Sequence, residues 1–191
     1  METLLAGLLI FLGAHCVRIV AGGWRSRQIA HLGENRWKGL YALVSLAGLV
    51  LIVWGYGQTR MAPDWWNPPT WTRQAAALLT IPAFLLLTAA YVPRNHFKAA
   101  LGHPMVAGVI LWAFAHLIAN GRPGDMLLFG AFLAWTIVAF ISLRRRDRAA
   151  GTHYPAGTLS GDLLATAIGL IVWALFAYYA HQWLIGMPPL G

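Results

Sequence analysis

The sequence predicts an all-α protein, a polytopic transmembrane helical bundle of six membrane spans with both termini on the non-cytoplasmic side. Of its 191 residues, 59% are hydrophobic and only 10% are charged, and the mean hydropathy is +0.60. A soluble domain carries about a quarter charged residues. This composition excludes a typical soluble domain and a disordered chain.

Six apolar segments are candidates to cross a bilayer core of ~30 Å. They are Leu4–Ala21, Gly39–Tyr56, Ala75–Val92, Pro104–Ala119, Met126–Leu143 and Leu163–Ile185. The first carries His15 and Arg18, which the uncharged core of a signal peptide lacks, so we interpret it as a helix. Because the six segments occupy most of the chain, we expect residues 1–191 to form a single integral membrane domain.

The basic residues predict the orientation. Eleven of the 14 lie in or next to the first, third and fifth connections, and three, Arg60, Arg73 and Arg122, lie in the others. Lys and Arg are enriched in cytoplasmic loops of membrane proteins. The alternation places the termini outside the cytoplasm and favours the bacterial inner membrane.

The net charge of +8 would indicate nucleic acid in a soluble protein. Here the charges separate apolar runs, so they report topology, and we expect membrane lipid rather than nucleic acid as a partner. The single cysteine, Cys16, excludes an internal disulfide and a multi-thiolate metal site. A homo-oligomer is left open.

Four histidines fall at or near membrane depth: His15, His103, His116 and His181. Ionisable groups there are costly and are functional candidates by default. A single membrane histidine is more often a neutral group bonded to a carbonyl. Two facing histidines, however, could bind one metal ion, because neutral imidazole is the commonest protein ligand for metals.

Depth selects the best-matched pair. His15 lies eleven residues into the first segment, hence ~17 Å below the outer boundary at ~1.5 Å per residue. His116 lies twelve residues into the fourth, hence ~12 Å below that boundary. His103 falls at the inner boundary and His181 near the outer one, so both are weaker metal candidates. The sequence favours His15 with His116.

Two neighbours fit a cofactor site. Arg18 shares the helical face of His15 and could pair with a haem propionate or an anionic lipid headgroup, or simply extend towards the interface. Asn120 follows His116 by four positions and could orient a substrate or a water, or end the helix.

Three runs carry a family resemblance: Gly102-His103-Pro104-Met105 with Leu111 to Gly121, Gly39 to Leu46, and Tyr154-Pro155-Ala156-Gly157-Thr158. Together they resemble the NnrU family of bacterial membrane proteins, along essentially the whole chain. That family is named for a link to denitrification and nitric oxide metabolism, and it is related to the plant 15-cis-zeta-carotene isomerase, a membrane enzyme with haem b.

The resemblance implies haem b as cofactor, with His15 and His116 as the ligands by motif. It implies either redox-dependent isomerisation of a hydrophobic polyene or a part in handling nitric oxide. The isomerase also uses a cysteine three residues before its second histidine for ligand switching, and Ala113 stands there in this chain. A thiolate switch is therefore not expected.

Two other functions stay open at this point. One is a non-enzymatic accessory protein for respiratory complex assembly or haem delivery. The other is an S-adenosylmethionine-dependent membrane methyltransferase, because His103-Pro104-Met105 before an apolar helix is similar to the isoprenylcysteine carboxyl methyltransferases. The acidic pair of that group is not found after the fifth segment, where Arg144-Arg145-Arg146-Asp147-Arg148 stands.

Overall fold

A computed structural model describes residues 1–187 and 189, and this part of the chain is helical, without strands. The α-helices are α1 Glu2–Val20, α2 Gly22–Leu32, α3 Glu34–Thr59, α4 Trp71–Ala89, α5 His96–Leu101, α6 Pro104–Ala119, α7 Pro123–Ala149, α8 Leu159–Leu175 and α9 His181–Ile185, with a π-helical turn Phe176–Ala180 that joins α8 to α9. The all-α prediction is confirmed.

Five helical segments are long and apolar enough to cross a membrane: α1, α3, α4, α7 and the run Leu159–Ile185. Their apolar side chains face outward, as Leu9 and Leu43 show with 67% and 66% of their surface exposed. Water would penalise so large an exposed apolar surface, whereas lipid would not. These helices indicate a membrane protein.

A further apolar helix, α6, has 16 residues and is shorter than the other five. Six helical segments therefore overlie the six that the sequence predicts, and whether all six cross the bilayer stays a prediction. The fifth predicted segment ends at Leu143, but α7 continues to Ala149. The arginines after Leu143 end the apolar segment but not the helix, because Arg is a good helix former.

The chain divides into two compact units, each described separately below; the single domain over 1–191 stays a prediction. The first unit comprises residues 1–66 and 122–131. In it α1 packs on α3 at glycines that bring the two backbones together. A Cβ on Gly7 would lie 2.6 Å from the nitrogen of Ile52, and one on Gly48 would lie 2.7 Å from that of Phe11. Small residues allow this close approach of helices in membranes.

Between these two spans lies α2, a short polar helix. It begins after Ala21, ends at Gly33 with a φ of +82°, and has no buried residue. Its Trp24 contacts Trp37 edge to face, with ring centroids 5.7 Å apart. Amphipathic helices of this kind lie along membrane interfaces, where indole rings are also enriched.

The second unit comprises residues 67–121 and those from 132 onward. Its centre is α4, which packs on α6 and α8. The Thr88 hydroxyl donates to the carbonyl of Ala165 at 2.9 Å, and the Trp173 indole donates to the Thr80 hydroxyl at 3.0 Å. Hydrogen bonds between helices are one of the forces that hold helices together in lipid.

The glycine contacts of α3 predict an unequal response to alanine. Gly55 is buried and a Cβ there would overlap the backbone of Leu4, whereas a Cβ on Gly57 meets nothing within 4 Å. Gly55→Ala should therefore destabilise the protein by about 1–3 kcal/mol, and Gly57→Ala should be neutral or slightly stabilising, since alanine is the better helix former. Unfolding in mixed micelles measures both, and equal effects would contradict the contact.

Candidate functional site

His15 lies in the fourth turn of α1, half-buried, with a fixed ring orientation. Its Nδ1 is 2.7 Å from the backbone carbonyl oxygen of Phe11. The imidazole also stacks on the Phe11 ring at 4.3 Å and lies 5.3 Å from the Tyr41 ring. Because a carbonyl only accepts, Nδ1 donates, and the lone pair of the neutral ring is on Nε2.

His116 repeats this arrangement in α6. Its Nδ1 donates to the carbonyl oxygen of Trp112, four residues earlier, at 2.9 Å, and the Trp112 ring lies 5.2 Å away. In the neutral ring the lone pair is again on Nε2. Both histidines are thus held in the tautomer that metal-binding histidines adopt when their other nitrogen is anchored.

His15 belongs to the first unit and His116 to the second. The prediction that both bind one metal ion therefore stays a prediction. Within residues 1–187 and 189, no group of three or more His, Cys, Asp and Glu side chains could hold a metal ion.

Beside His15 opens a basic cleft of about 320 Å³, in which Arg18, Arg25 and Lys38 supply positive charge. Arg18 lies in the last turn of α1, one turn after His15. Arg18, which the sequence predicts as a cofactor neighbour, therefore lies in the same cleft as His15. Arg25 and Lys38, which the sequence did not single out, also line this cleft.

Asn120 lies at the end of α6, where its side-chain amide donates to the backbone carbonyl of His116 at 2.8 Å. It is the C-terminal capping residue of that helix, in an extended conformation. The bond satisfies a carbonyl that the helix leaves without a partner. Its role toward a cofactor stays a prediction.

The other two membrane-depth histidines bond to groups outside their own helices. His181 donates from Nδ1 to the carbonyl of Met187 at 2.7 Å. His103, which precedes α6, is 2.9 Å through Nε2 from the carboxylate of Asp147. The carboxylate partner of His103 fits a structural role, and both remain the weaker metal candidates because of their predicted depth.

Asp147 is the centre of a polar cluster that the sequence did not predict. The arginine-rich connection around Asp147 indicated only the orientation of the helices. One carboxylate oxygen of Asp147 accepts from the Tyr154 hydroxyl at 2.9 Å and lies 3.6 Å from the Arg144 guanidinium. Burial raises the pKa of Tyr154, and the hydrogen bond and charge of Asp147 raise it further. The phenol therefore stays protonated at neutral pH and keeps donating.

Gly102 makes room for this cluster. Its φ is +73°, and a Cβ there would lie 2.7 Å from the Tyr154 ring and 2.8 Å from Arg144. Only glycine meets both demands without strain. The Gly102-His103 sequence is thus explained by a tertiary contact with the segment that follows α7.

A second cluster was also missed, at the start of α7 in the first unit. Asp125 is 4% exposed and accepts from the Tyr56 hydroxyl at 2.6 Å and from the backbone N–H of Arg122 at 3.2 Å. In the sequence, Asp125 is a carboxylate in the first turn of an apolar helix, a position that indicates a favourable interaction with the helix dipole. Its long-range partner, Tyr56, is not visible in the sequence.

The comparison with known families identifies the chain. The family model described as NnrU protein matches residues 3–189. The chain belongs to the NnrU family. No curated protein and no solved structure matches this NnrU family member.

The bond between Tyr56 and Asp125 predicts energetic coupling. Tyr56→Phe leaves a buried carboxylate oxygen without its hydroxyl donor, which should cost about 1–3 kcal/mol of unfolding free energy. In the Asp125→Asn background the same change should cost less, because the charged acceptor is gone. Unfolding in mixed micelles gives the four free energies, with Tyr178→Phe as the control because that ring is 62% exposed. Additive effects would contradict the bond.

Proposed function

We propose that this NnrU family protein is an integral membrane haem b protein with His15 and His116 as axial ligands. One observation carries the proposal: both histidines donate Nδ1–H to the carbonyl four residues earlier in their own helix. Such an anchor fixes ring orientation and raises the basicity of the opposite nitrogen. The two histidines share this anchor, and the sequence predicts that their depths in the membrane differ by only about 5 Å. Such a pair could bind one haem iron from its two faces.

The surroundings of His15 also fit the group. A haem is a largely apolar plane, and the aromatic rings of Phe11 and Tyr41 lie beside His15, with ring centroids 4.3 and 5.3 Å from its own. Bound haem would supply one-electron chemistry and a binding position for small gaseous ligands. The protein's residues would hold and orient it, with Nε2 as the donor atom of each histidine.

Position 113 separates the two reactions that the family resemblance implies. Ala113 is fully buried in α6, so this position offers no thiolate for the ligand exchange expected of the isomerase. Among the implied roles, this favours redox handling of nitric oxide over isomerisation of a polyene. The relation to zeta-carotene isomerase then concerns the scaffold and the haem rather than the reaction.

The histidines predict a spectroscopic result. The purified protein should show a Soret band that sharpens or shifts on dithionite reduction, and His15→Gly and His116→Gly should each remove or shift it because an axial ligand is lost. His31→Gly and His153→Gly, at exposed positions, should leave the spectrum unchanged. Added imidazole should restore the band to a folded glycine variant.

Two results would overturn the assignment. One is a protein that contains no haem and takes up none on reconstitution, which would favour the accessory role. The other is an unchanged spectrum in both the His15 and the His116 variants. The imidazole arm separates loss of a ligand from loss of the fold.

We propose further that α6 is a sixth span and that both termini lie outside the cytoplasm of a bacterial inner membrane. The 16 residues of α6 measure ~24 Å at ~1.5 Å per residue, which is somewhat less than the ~30 Å thickness of the hydrocarbon core. Local thinning of the bilayer can accommodate the difference. The distribution of eleven basic residues against three supports the orientation.

Single cysteines test the span count. In a Cys16→Ser background, Met61→Cys and Arg148→Cys are separated by α4, α6 and α7, so three crossings place them on opposite faces. An impermeant maleimide added to spheroplasts should label Met61→Cys and Trp183→Cys, and Arg148→Cys only after lysis. Labelling of Met61→Cys and Arg148→Cys from the same face would show that α6 does not cross.

A further inference from the structure

The basic cleft carries more positive charge than the histidine site alone requires. Its cations come from three successive elements: Arg18 from the end of α1, Arg25 from α2 and Lys38 from the first turns of α3. None of the residues that line it is acidic. Like charges held close to one another repel, so such a group is stabilised when an anion is present.

The protein's own carboxylates neutralise only part of this charge, through Glu34. Within the described residues, Arg18 and Arg25 have no carboxylate within 4 Å. Lys38 pairs with Glu34 at 2.7 Å, but both side chains are about two-thirds exposed, at 67% and 70%, where such a pair contributes little. The ammonium also has three protons to donate, so it can serve a second acceptor.

The elements around the cleft indicate that it lies at headgroup depth. Arg18 stands at the polar end of an apolar helix, and α2 has no buried residue. The Trp24 and Trp37 rings contact each other beside it, and Trp37 also lines the cleft. Tryptophans and basic residues together mark the interface between hydrocarbon and water.

We propose that this cleft binds the phosphate headgroup of an anionic phospholipid from the leaflet that faces the basic connections. Arg18, Arg25 and Lys38 would donate to the phosphate oxygens, and the rings of Trp37 and Tyr41 would contact the glycerol and upper acyl region. The inference goes beyond haem binding and does not require it, because the three cations and the interfacial helix belong to the protein without cofactor.

The test uses haem-free protein in nanodiscs of equal phosphatidylglycerol and phosphatidylcholine, followed by native mass spectrometry of the lipids retained on release. Wild type should retain phosphatidylglycerol over phosphatidylcholine. Arg25→Gln with Lys38→Gln should lower that preference about thirtyfold, given an attraction of about 1 kcal/mol of each basic residue to anionic lipid. The matched control is Arg27→Gln with Arg36→Gln, which removes the same charge from exposed positions of the same two helices.

Three outcomes would overturn the proposal. Equal retention of the two lipids by wild type would show no headgroup site. Equal losses in the cleft and control variants would show general charge attraction alone. If the cleft variants keep phosphatidylglycerol but lose affinity for haem relative to haem dimethyl ester, the cleft binds a carboxylate of haem and not a lipid phosphate. Haem uptake by wild type, measured separately, tests the axial-ligand proposal on its own.

Discussion

Hydrocarbon offers no water to a polar group, and this constraint shapes both units of the protein. Thr80 and Thr136 each donate to a carbonyl one turn earlier in their own helices, and Thr88 donates to a carbonyl of α8. Asp125 is bonded to Tyr56, and His15 and His116 bond to backbone carbonyls. A polar atom left without a partner in lipid costs several kcal/mol, so these bonds determine where polar side chains can be placed.

The histidines divide into two groups by what they bond. His96 and His103 contact the carboxylates of Asp162 and Asp147 at 2.6 and 2.9 Å, so they connect segments that are distant in the sequence. His15 and His116 each donate from Nδ1 to a backbone carbonyl of their own helix. This difference supports a ligand role for the second pair, since a metal ligand needs an anchored ring with a basic second nitrogen.

The close packing of α1 on α3 and the basic cleft both lie within the first unit. Gly7, Gly48 and Gly55 bring the α1 and α3 backbones together, and Gly33, with a φ of +82°, ends α2 and lets the chain enter α3. Arg18, Arg25 and Lys38 then converge beside His15. A signal that the sequence offers only as orientation thus becomes, in three dimensions, a site with its own chemistry.

The sequence alone determined the helical class and the apolar segments, because hydropathy and composition are properties of the chain before it folds. Its short motifs also indicated the family. It also selected His15 and His116, since rise per residue converts position into depth. It could not supply the clusters around Asp125 and Asp147, whose partners lie 69 residues away for Tyr56 and 44 for His103. Those bonds exist only once helices pack, because close approach, burial and a positive φ at Gly102 are properties of the tertiary structure.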